Sequence, residues 1–444
     1  MDIDYLKKSI KENEISQKKN KKQTYLSDSL MEVVEKFMKK KKRVCYGGTA
    51  INSILPKEKQ FYDYDVDIPD YDFFSPTALE DAKELCNLFK NENIFHVEGK
   101  NAVSFGTYKV FVNYVPVADI TQIHDSFNQF LIKYAVDVKG ILYTPPSYLR
   151  MSLHQELARP KGDISRWEKI YERMQLLNQY FPILSKPLHK RQNMYIKIKT
   201  KSFQKIYDLL YHFFIKENLI LCNFHLIACI YKKFLNINNL CLQNKKDFFI
   251  VYSNNLGETI KQIRKLNISD ITLKKKQSEY KFIGDYCFIY YKQTSIGIIF
   301  QTNSCLSYIE TTYKQNKMRI GNIDTLLNLY FSLMLMELNE INYNFLLLMV
   351  SKLNRIVNNY NKYIGSNKKL PKELERFKLP CLGDQEDLPT ILRTKQKKFN
   401  ELKHNKQSVE YKKWFFKYSP KLKNVTKKKN QTPKKNQRKT KKTN

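Results

Sequence analysis

Glycine is scarce in this chain, 12 of 444 residues, and tryptophan scarcer still, 2 beside 30 tyrosines and 27 phenylalanines. Neither G-x-x-x-x-G-K-[ST] nor G-x-G-x-x-G occurs, which excludes the P-loop and the dinucleotide-binding turn as ways of holding phosphate. No stretch reaches the run of about 18 uncharged apolar residues a spanning helix needs. The start, MDIDYLKKSIKENE, has no apolar signal core, so neither membrane insertion nor secretion is expected. The eight cysteines form no C-x-x-C pair and read as reduced intracellular thiols. Cys222, His225 and Cys229 approach metal-ligand spacing but share an apolar helical stripe, which favours a buried core. Acidic residues are also few: 43 against 78 lysines and arginines, a formal charge of +35. A field of that size favours polyanions, nucleic acid first. The excess is almost all lysine, however, with only 12 arginines, as an A+T-rich coding sequence would also produce. With 42 % hydrophobic and 13 % aromatic residues the chain is expected to fold, and its length suggests roughly three domains.

Residues 1–42 are lysine-rich, with a helix from about Ser27 marked by Leu30, Val33, Val34 and Phe37. From 43 to 185 short apolar runs alternate with helical patches, as in an α/β or α+β domain. RVCY, PDYDFF, AVSFG and KVFVNYVPVADI are its strand candidates, and Thr77 with Glu80 predicts a capped helix. A further helix opens at Asp163, and Pro182 and Pro187 mark a boundary. Residues 186–375 form a second α/β unit with strand-like runs DFFIVYS, YKFIG, YCFIYYK and SIGIIFQT, then a helical stretch from Ile323 to Tyr363. Residues 376–418 read as an extension, in which YKKWFFKY is an apolar anchor or a base-stacking run. Residues 419–444 carry 11 lysines and arginines with no acid and read as a disordered basic tail. No internal repeat of fixed period is visible.

One segment runs against the overall charge. DYDVDIPDYD places Asp63, Asp65, Asp67, Asp70 and Asp72 within ten residues. Carboxylates so crowded repel one another unless they share a cation, and hard oxygen ligands suit Mg²⁺. On a strand, residues i and i+2 share a face, so Asp70 and Asp72 project together while Tyr71 and Phe73 enter the core. Asp65 and Asp67 offer the same spacing on a less convincing strand, and a lone D-x-D is most often a solvated loop.

Its context strengthens it. Gly47 and Gly48 follow the apolar run RVCY and precede TAINSIL, a strand-to-helix turn whose free amides can cradle an anion, with the Thr49 hydroxyl alongside. Asp119, the sole acid of KVFVNYVPVADIT, can join Asp70 and Asp72 if its strand lies beside theirs, giving a site for two ions at a reacting phosphorus. Pro116 demands an edge or a bulge. Lys161, Arg166 and Lys169 could steady phosphate, or form an ordinary solvated helix face.

Strand, Gly-Gly, helix, D-x-D strand and a later third acid together resemble the polymerase-β-type nucleotidyltransferases. YGGTAIN, PDYDFFSP, VADIT and RPKGDISRWEKIYERMQLL are similar, more narrowly, to the poly(A) polymerase catalytic subunits of large nucleocytoplasmic DNA viruses. That resemblance implies an α+β fold: a nucleotidyltransferase domain behind a helical N-terminal segment, with a second, degenerate nucleotidyltransferase-like domain. It implies template-independent addition of AMP from ATP to RNA 3′ ends. Gly47, Gly48 and Thr49 would hold the nucleotide, and Asp70, Asp72 and Asp119 two Mg²⁺ or Mn²⁺ ions. It also implies a homodimer, or a heterodimer with a processivity factor, working in the host cytoplasmic virus factory and carried in the virion. The rival readings are a nucleotidyltransferase with another nucleotide or a small-molecule acceptor, and a non-catalytic RNA-binding protein.

Overall fold

The structure, a computed structural model, describes residues 2–25, 28–67, 70–91, 96–185, 195–235, 246–313, 315–363 and 370–420. Pro187, Cys241 and all of the basic tail beyond Pro420 lie outside them. Two lysine-rich helices open the chain, α1 (Ile3–Tyr25) and α2 (Asp28–Lys41). α2 buries its apolar stripe, Met31, Val34, Phe37 and Met38, whereas Ile3, Leu6 and Ile10 of α1 are exposed. The first unit follows as β1 (Val44–Cys45), α3 (Gly47–Ile54), β2 (Tyr71–Ser75), α4 (Ala78–Asn91), β3 (Val97–Asn101), β4 (Thr107–Val112), β5 (Val115–Gln122), α5 (Asp125–Tyr134), β6 (Val136–Val138), β7 (Ile141–Tyr143), α6 (Pro146–Leu157) and α7 (Trp167–Tyr180).

Two strand expectations change. KVFVNYVPVADI is a hairpin rather than one strand, because Asn113 and Tyr114 take positive φ (48° and 66°) and turn the chain between β4 and β5. AVSFG is the loop joining β3 to β4. Pro116 does sit beside a bulge, where the β4–β5 register shifts at Phe111. The capped helix is α4, although Ala78 N–H is taken by the Gln122 side chain and Thr77 turns to Asp81.

The second unit contains α8 (Lys201–Lys216), β9 (Ile220–Leu221), α9 (Phe224–Ile230), α10 (Lys232–Leu235), β11 (Phe249–Ser253), α11 (Leu256–Lys265), β12 (Ile271–Lys276), β13 (Tyr286–Tyr291), β14 (Thr294–Gln301), β15 (Leu306–Tyr313), β16 (Asn316–Gly321), α12 (Ile323–Met336) and α13 (Tyr343–Asn358). A short pair, β8 (Tyr195–Ile196) with β10 (Lys246–Asp247), stands apart. YKFIG is a turn, and the expected helix from Ile323 to Tyr363 breaks at Glu337, whose φ of 46° ends α12.

The first sheet runs β3-β4-β5-β2-β1-β7-β6 and the second β12-β13-β14-β11-β9-β16-β15. Each neighbouring pair has the same sense in both: β2 is parallel to β5 as β11 is to β14, and β1 to β7 as β9 to β16. Side chains repeat as well. Gln122 donates to the Pro76 carbonyl and accepts from Ala78 N–H, while Gln301 does the same with Asn254 and Leu256. No fixed sequence period accompanies this repetition, because the connecting segments differ in length.

Residues 376–418 tie the two sheets together. β17 (Cys381–Leu382) adds an edge to β15, helices α14 (Leu388–Leu402) and α15 (Val409–Trp414) follow, and β18 (Lys417–Tyr418) pairs with β3. Trp414 packs at a tilt on Phe105 and Phe416 is buried against Tyr108, so YKKWFFKY is an anchor here. The β15–β17 register also brings Cys305 and Cys381 together as a disulfide, correcting the expectation that all cysteines are reduced; their separation of 76 residues hid the pairing. Cys222 and His225 are buried in the core as expected, whereas Cys229 is only half-buried and is disulfide-bonded, a second correction to the expectation of reduced thiols. Among the described residues no helix is long and apolar enough to cross a membrane.

Candidate active site

β1 is short and wholly buried, and Gly47 leaves it with φ +75° to start α3. The helix thus begins at the glycines themselves rather than after them. Tyr46 N–H donates to the Asp72 carbonyl, which fixes this turn against β2. The approach is close: a Cβ on Gly47 would lie 2.9 Å from Asp72 Oδ2. The Gly-Gly turn and the D-x-D strand are therefore one site.

In the parallel pairing of β2 with β5, Asp72 stands directly opposite Asp119. Lys109 stands opposite Asp119 on its other side, and its Nζ donates to Asp119 Oδ2. Lys109, Asp119 and Asp72 thus form a row across three strands. Asp119 Oδ1 is buried without a hydrogen-bond partner. Asp70 lies just before β2, and its carbonyl accepts from the Thr49 hydroxyl at 2.7 Å. Thr49 is buried, so its hydroxyl braces the carboxylate segment, and any contact with a phosphate would come from its backbone. Tyr71 and Phe73 enter the core as expected.

The charges respond to this crowding. Burial, and then the Asp70 and Asp119 carboxylates, push the Asp72 carboxyl up to about 8, against the pull of Lys109 and Arg166. Asp70 is raised by burial and by Asp119. The remaining acids of the cluster lie on a turn of their own. Asp63 and Asp67 accept from backbone N–H groups of their own turn, Asp67 pairs with Lys18 on α1 at 2.9 Å, and Asp65 N–H caps Asp63.

The sequence reading missed Arg173. It reaches from α7 over the Phe61 ring (4.6 Å) and donates to Tyr62 Oη at 2.9 Å, and its guanidinium lies 2.8 Å from where a Gly48 Cβ would be. Lys169 is near enough to Arg166 and Arg173 that their charges, after burial, push its ammonium below the usual value. The signal was available: Arg166, Lys169 and Arg173 recur at three- and four-residue spacing along one edge of the stripe formed by the buried Ile170, Met174 and Leu177. Lys161 is exposed.

These residues fit a divalent cation in three respects: an orphaned buried carboxylate oxygen, carboxyls raised by burial and then by one another, and hard oxygen donors side by side. Among the described residues no three acidic, histidine or cysteine side chains enclose an ion by themselves. Substrate phosphates and water would complete the shell, as is usual for Mg²⁺.

The α+β fold thus brings adjacent carboxylates on two parallel strands together with a glycine turn and a helix N-terminus. Residues 32–163 match the family model described as poly(A) polymerase catalytic subunit, so the resemblance read from YGGTAIN, PDYDFFSP and VADIT holds. A protein of Acanthamoeba polyphaga mimivirus, provisionally named poly(A) polymerase catalytic subunit, is 31 % identical over 190 residues, 40 % of this chain and 32 % of that one. An African swine fever virus protein (isolate Pig/Kenya/KEN-50/1950) with the same provisional name is 32 % identical over 162 residues, 35 % of this chain and 34 % of its own. The chain therefore spans about one third of the length of these curated relatives. The crystal structure of the Megavirus polyadenylate synthase superposes with a TM-score of 0.77 at 21 % identity, covering 95 % of this chain and 86 % of that one. The shared architecture thus extends well beyond the sequence match.

Proposed function

We propose that the chain is a template-independent polynucleotide adenylyltransferase, adding AMP from ATP to RNA 3′ ends. The observation that carries this is the Asp72–Asp119 row with its orphaned oxygen, pressed against the Gly47 turn. Asp70, Asp72 and Asp119 would hold two Mg²⁺ or Mn²⁺ ions, which would supply charge neutralisation at the reacting phosphorus. The protein's own contribution is positioning. The free amides of Gly47 and Gly48 and the Arg173 guanidinium face the triphosphate. Asp119 stands where the RNA 3′-hydroxyl attacks and can take its proton, while Lys109 keeps the Asp119 carboxylate oriented. The new bond joins the 3′-oxygen to the α-phosphorus, and the bond to the β-phosphate breaks to release pyrophosphate toward Arg173.

The second unit reads as a degenerate copy. Its register puts Ile250 and Ile298 where the first has Asp72 and Asp119, and Asn223 and Phe224 where the first has Gly47 and Gly48. None of these equivalent positions carries an acid, and the nearby buried Asp247 is taken up by the His225 and Leu226 N–H groups at the start of α9, so the chemistry is assigned to the first unit. Domain limits of 43–185 and 186–375 suit this division, with 376–418 bridging the two sheets. The proposed partner is a second subunit, either a copy of the chain or a processivity factor. The proposed setting is the virus factory in the host cytoplasm.

Purified chain with Mg²⁺ or Mn²⁺ and a labelled RNA should be extended with ATP and much less with CTP, GTP or UTP, as read on a sequencing gel. Equal use of all four would point to another nucleotidyltransferase, and no extension to an RNA-binding protein. Truncation after Pro420 spares the β18–β3 pairing and removes all 11 tail cations. If the tail engages three or four phosphates, truncation should flatten the salt slope of RNA binding by about 2 to 3. The extension rate at saturating RNA and low salt should not change. An unchanged slope assigns the tail elsewhere.

A further inference from the structure

The row of carboxylates and Lys109 continues to the edge of the first sheet. Lys100 on β3 stands opposite Lys109, and Lys417 on β18 stands opposite Lys100. Lys417, Lys100, Lys109, Asp119 and Asp72 therefore form one line across five strands, and residues paired in this way project from the same face. The other face belongs to the core: Val110, next to Lys109, is buried, and Tyr418, next to Lys417, donates its hydroxyl to Asn87 of α4. Adjacent strands lie about 4.8 Å apart, so Lys100 is about 10 Å and Lys417 about 14 Å from Asp119.

At that edge the line meets a cavity of about 340 Å³, whose lining includes His96, Glu98, Lys100, Phe111, Tyr114 and Pro420. Lys100 Nζ sits over the Phe111 ring at 4.2 Å. Glu98 joins Lys100 (3.2 Å) to Lys417 (3.4 Å), which holds both cations at the edge with one positive charge in excess. Tyr114 stacks on His96 (5.2 Å, 29°) and is nevertheless 79 % exposed. Its turn gives no local reason for a tyrosine. At φ 66°, the second position of the β4–β5 turn favours glycine, and an ordinary residue costs about 1–2 kcal/mol there. What tyrosine adds is a flat ring presented to solvent. The segment beyond Pro420, with 11 lysines and arginines, starts from this same cavity. Aromatic faces interleaved with cations match a single-stranded nucleic acid, whose bases stack while its phosphates pair.

Resting on the proposed activity, we propose that the β4–β3–β18 face is the path of the acceptor RNA upstream of its 3′ end, with Lys100 and Lys417 on its phosphates and one of its bases stacked on Tyr114 at the edge cavity. The direction follows from the row. The triphosphate grip at Gly47, Gly48 and Arg173 lies on the β1 side, so an RNA whose 3′-hydroxyl meets Asp119 leaves on the β4 side, over the lysines. Four residues along β5 and two strands across put the cavity about 16 Å from Asp119, so it takes an upstream base and not the reacting nucleotide. The hairpin that carries Asp119 and Lys109 thus also carries, at its tip, the ring that steadies the incoming strand.

The test titrates the full chain with fluorescent oligoadenylates of increasing length, read by anisotropy at several salt concentrations, beside the extension assay. Tyr114→Gly should weaken the longer RNAs by about 10- to 100-fold, the scale of one base–aromatic stack, and leave RNAs too short to reach the cavity as they were. Its melting temperature should rise, because glycine suits the turn, so a loss of affinity cannot come from a loss of fold. In the extension assay the loss should appear in KM for RNA rather than in kcat. Lys100→Gln should lower the salt slope of binding by about 0.7, the share of one phosphate on a single strand. A folded Tyr114→Gly that binds long RNAs normally, or that loses affinity equally at every length, overturns the path, as does an unchanged salt slope in Lys100→Gln. An intact chain that binds the RNAs with the expected length dependence yet extends none of them overturns the adenylyltransferase reading and not the surface.

Discussion

Replacing Asp72 by Asn should abolish nucleotide addition while making the metal-free protein more stable near pH 8. The loss of rate follows from the row: Asp72 faces Asp119 directly, and its Oδ2 lies against the glycine turn. Charge stabilisation at this point is worth several kcal/mol, and 4 kcal/mol is about 10³-fold in rate. The gain in stability follows from the sign of the pKa change. Burial, and then Asp70 and Asp119, raise the Asp72 carboxyl to about 8, whereas an unfolded aspartate titrates near about 4. A folded group with a raised pKa contributes stability below the unfolded value that is lost as pH rises through the folded one, so between these limits the native state weakens. Asparagine carries no charge to repel, and its melting temperature should stay flat over that window. The increase in melting temperature given by Mn²⁺ should disappear with it. Asp70→Asn should behave alike, whereas Asp65→Asn and Asp67→Asn, on a turn tied to itself and to Lys18, should keep near-normal rates. Loss of activity in the latter pair alone would show that the wrong carboxylates were chosen.

Much of this site was legible in the sequence because its chemistry is local. Asp70 and Asp72 are two residues apart, the glycines are adjacent, and the period-2 rule that turns Tyr71 and Phe73 inward aims the carboxylates outward. Asp119 needed a conditional, that its strand lie beside β2, and the register satisfies it. What remained hidden depends on pairing between distant segments. Lys109 is ten residues from Asp119 and meets it only because Asn113 and Tyr114 adopt positive φ without an Asn-Gly signal to announce the turn. Arg173 looked like any solvated helix cation until Gly48, with no side chain, let it approach. The repeated fold was the least visible feature. Its shared elements are backbone direction and a glutamine clamp at Gln122 and Gln301, while the residues that would advertise kinship, the carboxylates, are isoleucine in the second copy.

Gly47→Ala should lower the maximal rate on the order of 10²-fold, the scale expected when a reacting group moves by about 1 Å. Two costs meet at this residue. Its φ of +75° lies in the left-handed region, which costs an ordinary L-residue about 1–2 kcal/mol. The new methyl would also stand 2.9 Å from Asp72 Oδ2, so either the carboxylate turns away from Asp119 or the first turn of α3 shifts away from the triphosphate. Both outcomes damage the reacting geometry at the triphosphate end of the site, so RNA affinity should stay within a few-fold of the parent. Gly48→Ala provides the contrast. Its methyl would meet Tyr62 Oη at 2.5 Å and Arg173 Nη1 at 2.8 Å, the far ends of two side chains that can swing aside. Displacing Arg173 weakens the grip on the triphosphate but leaves the carboxylate row in place. Gly48→Ala should therefore raise KM for ATP with little change in kcat, and Gly47→Ala should lower kcat with little change in KM. Steady-state kinetics at saturating RNA separate the two. If Gly47→Ala keeps its full kcat in a folded protein, Asp72 can move freely without penalty, and the turn does not position it for chemistry.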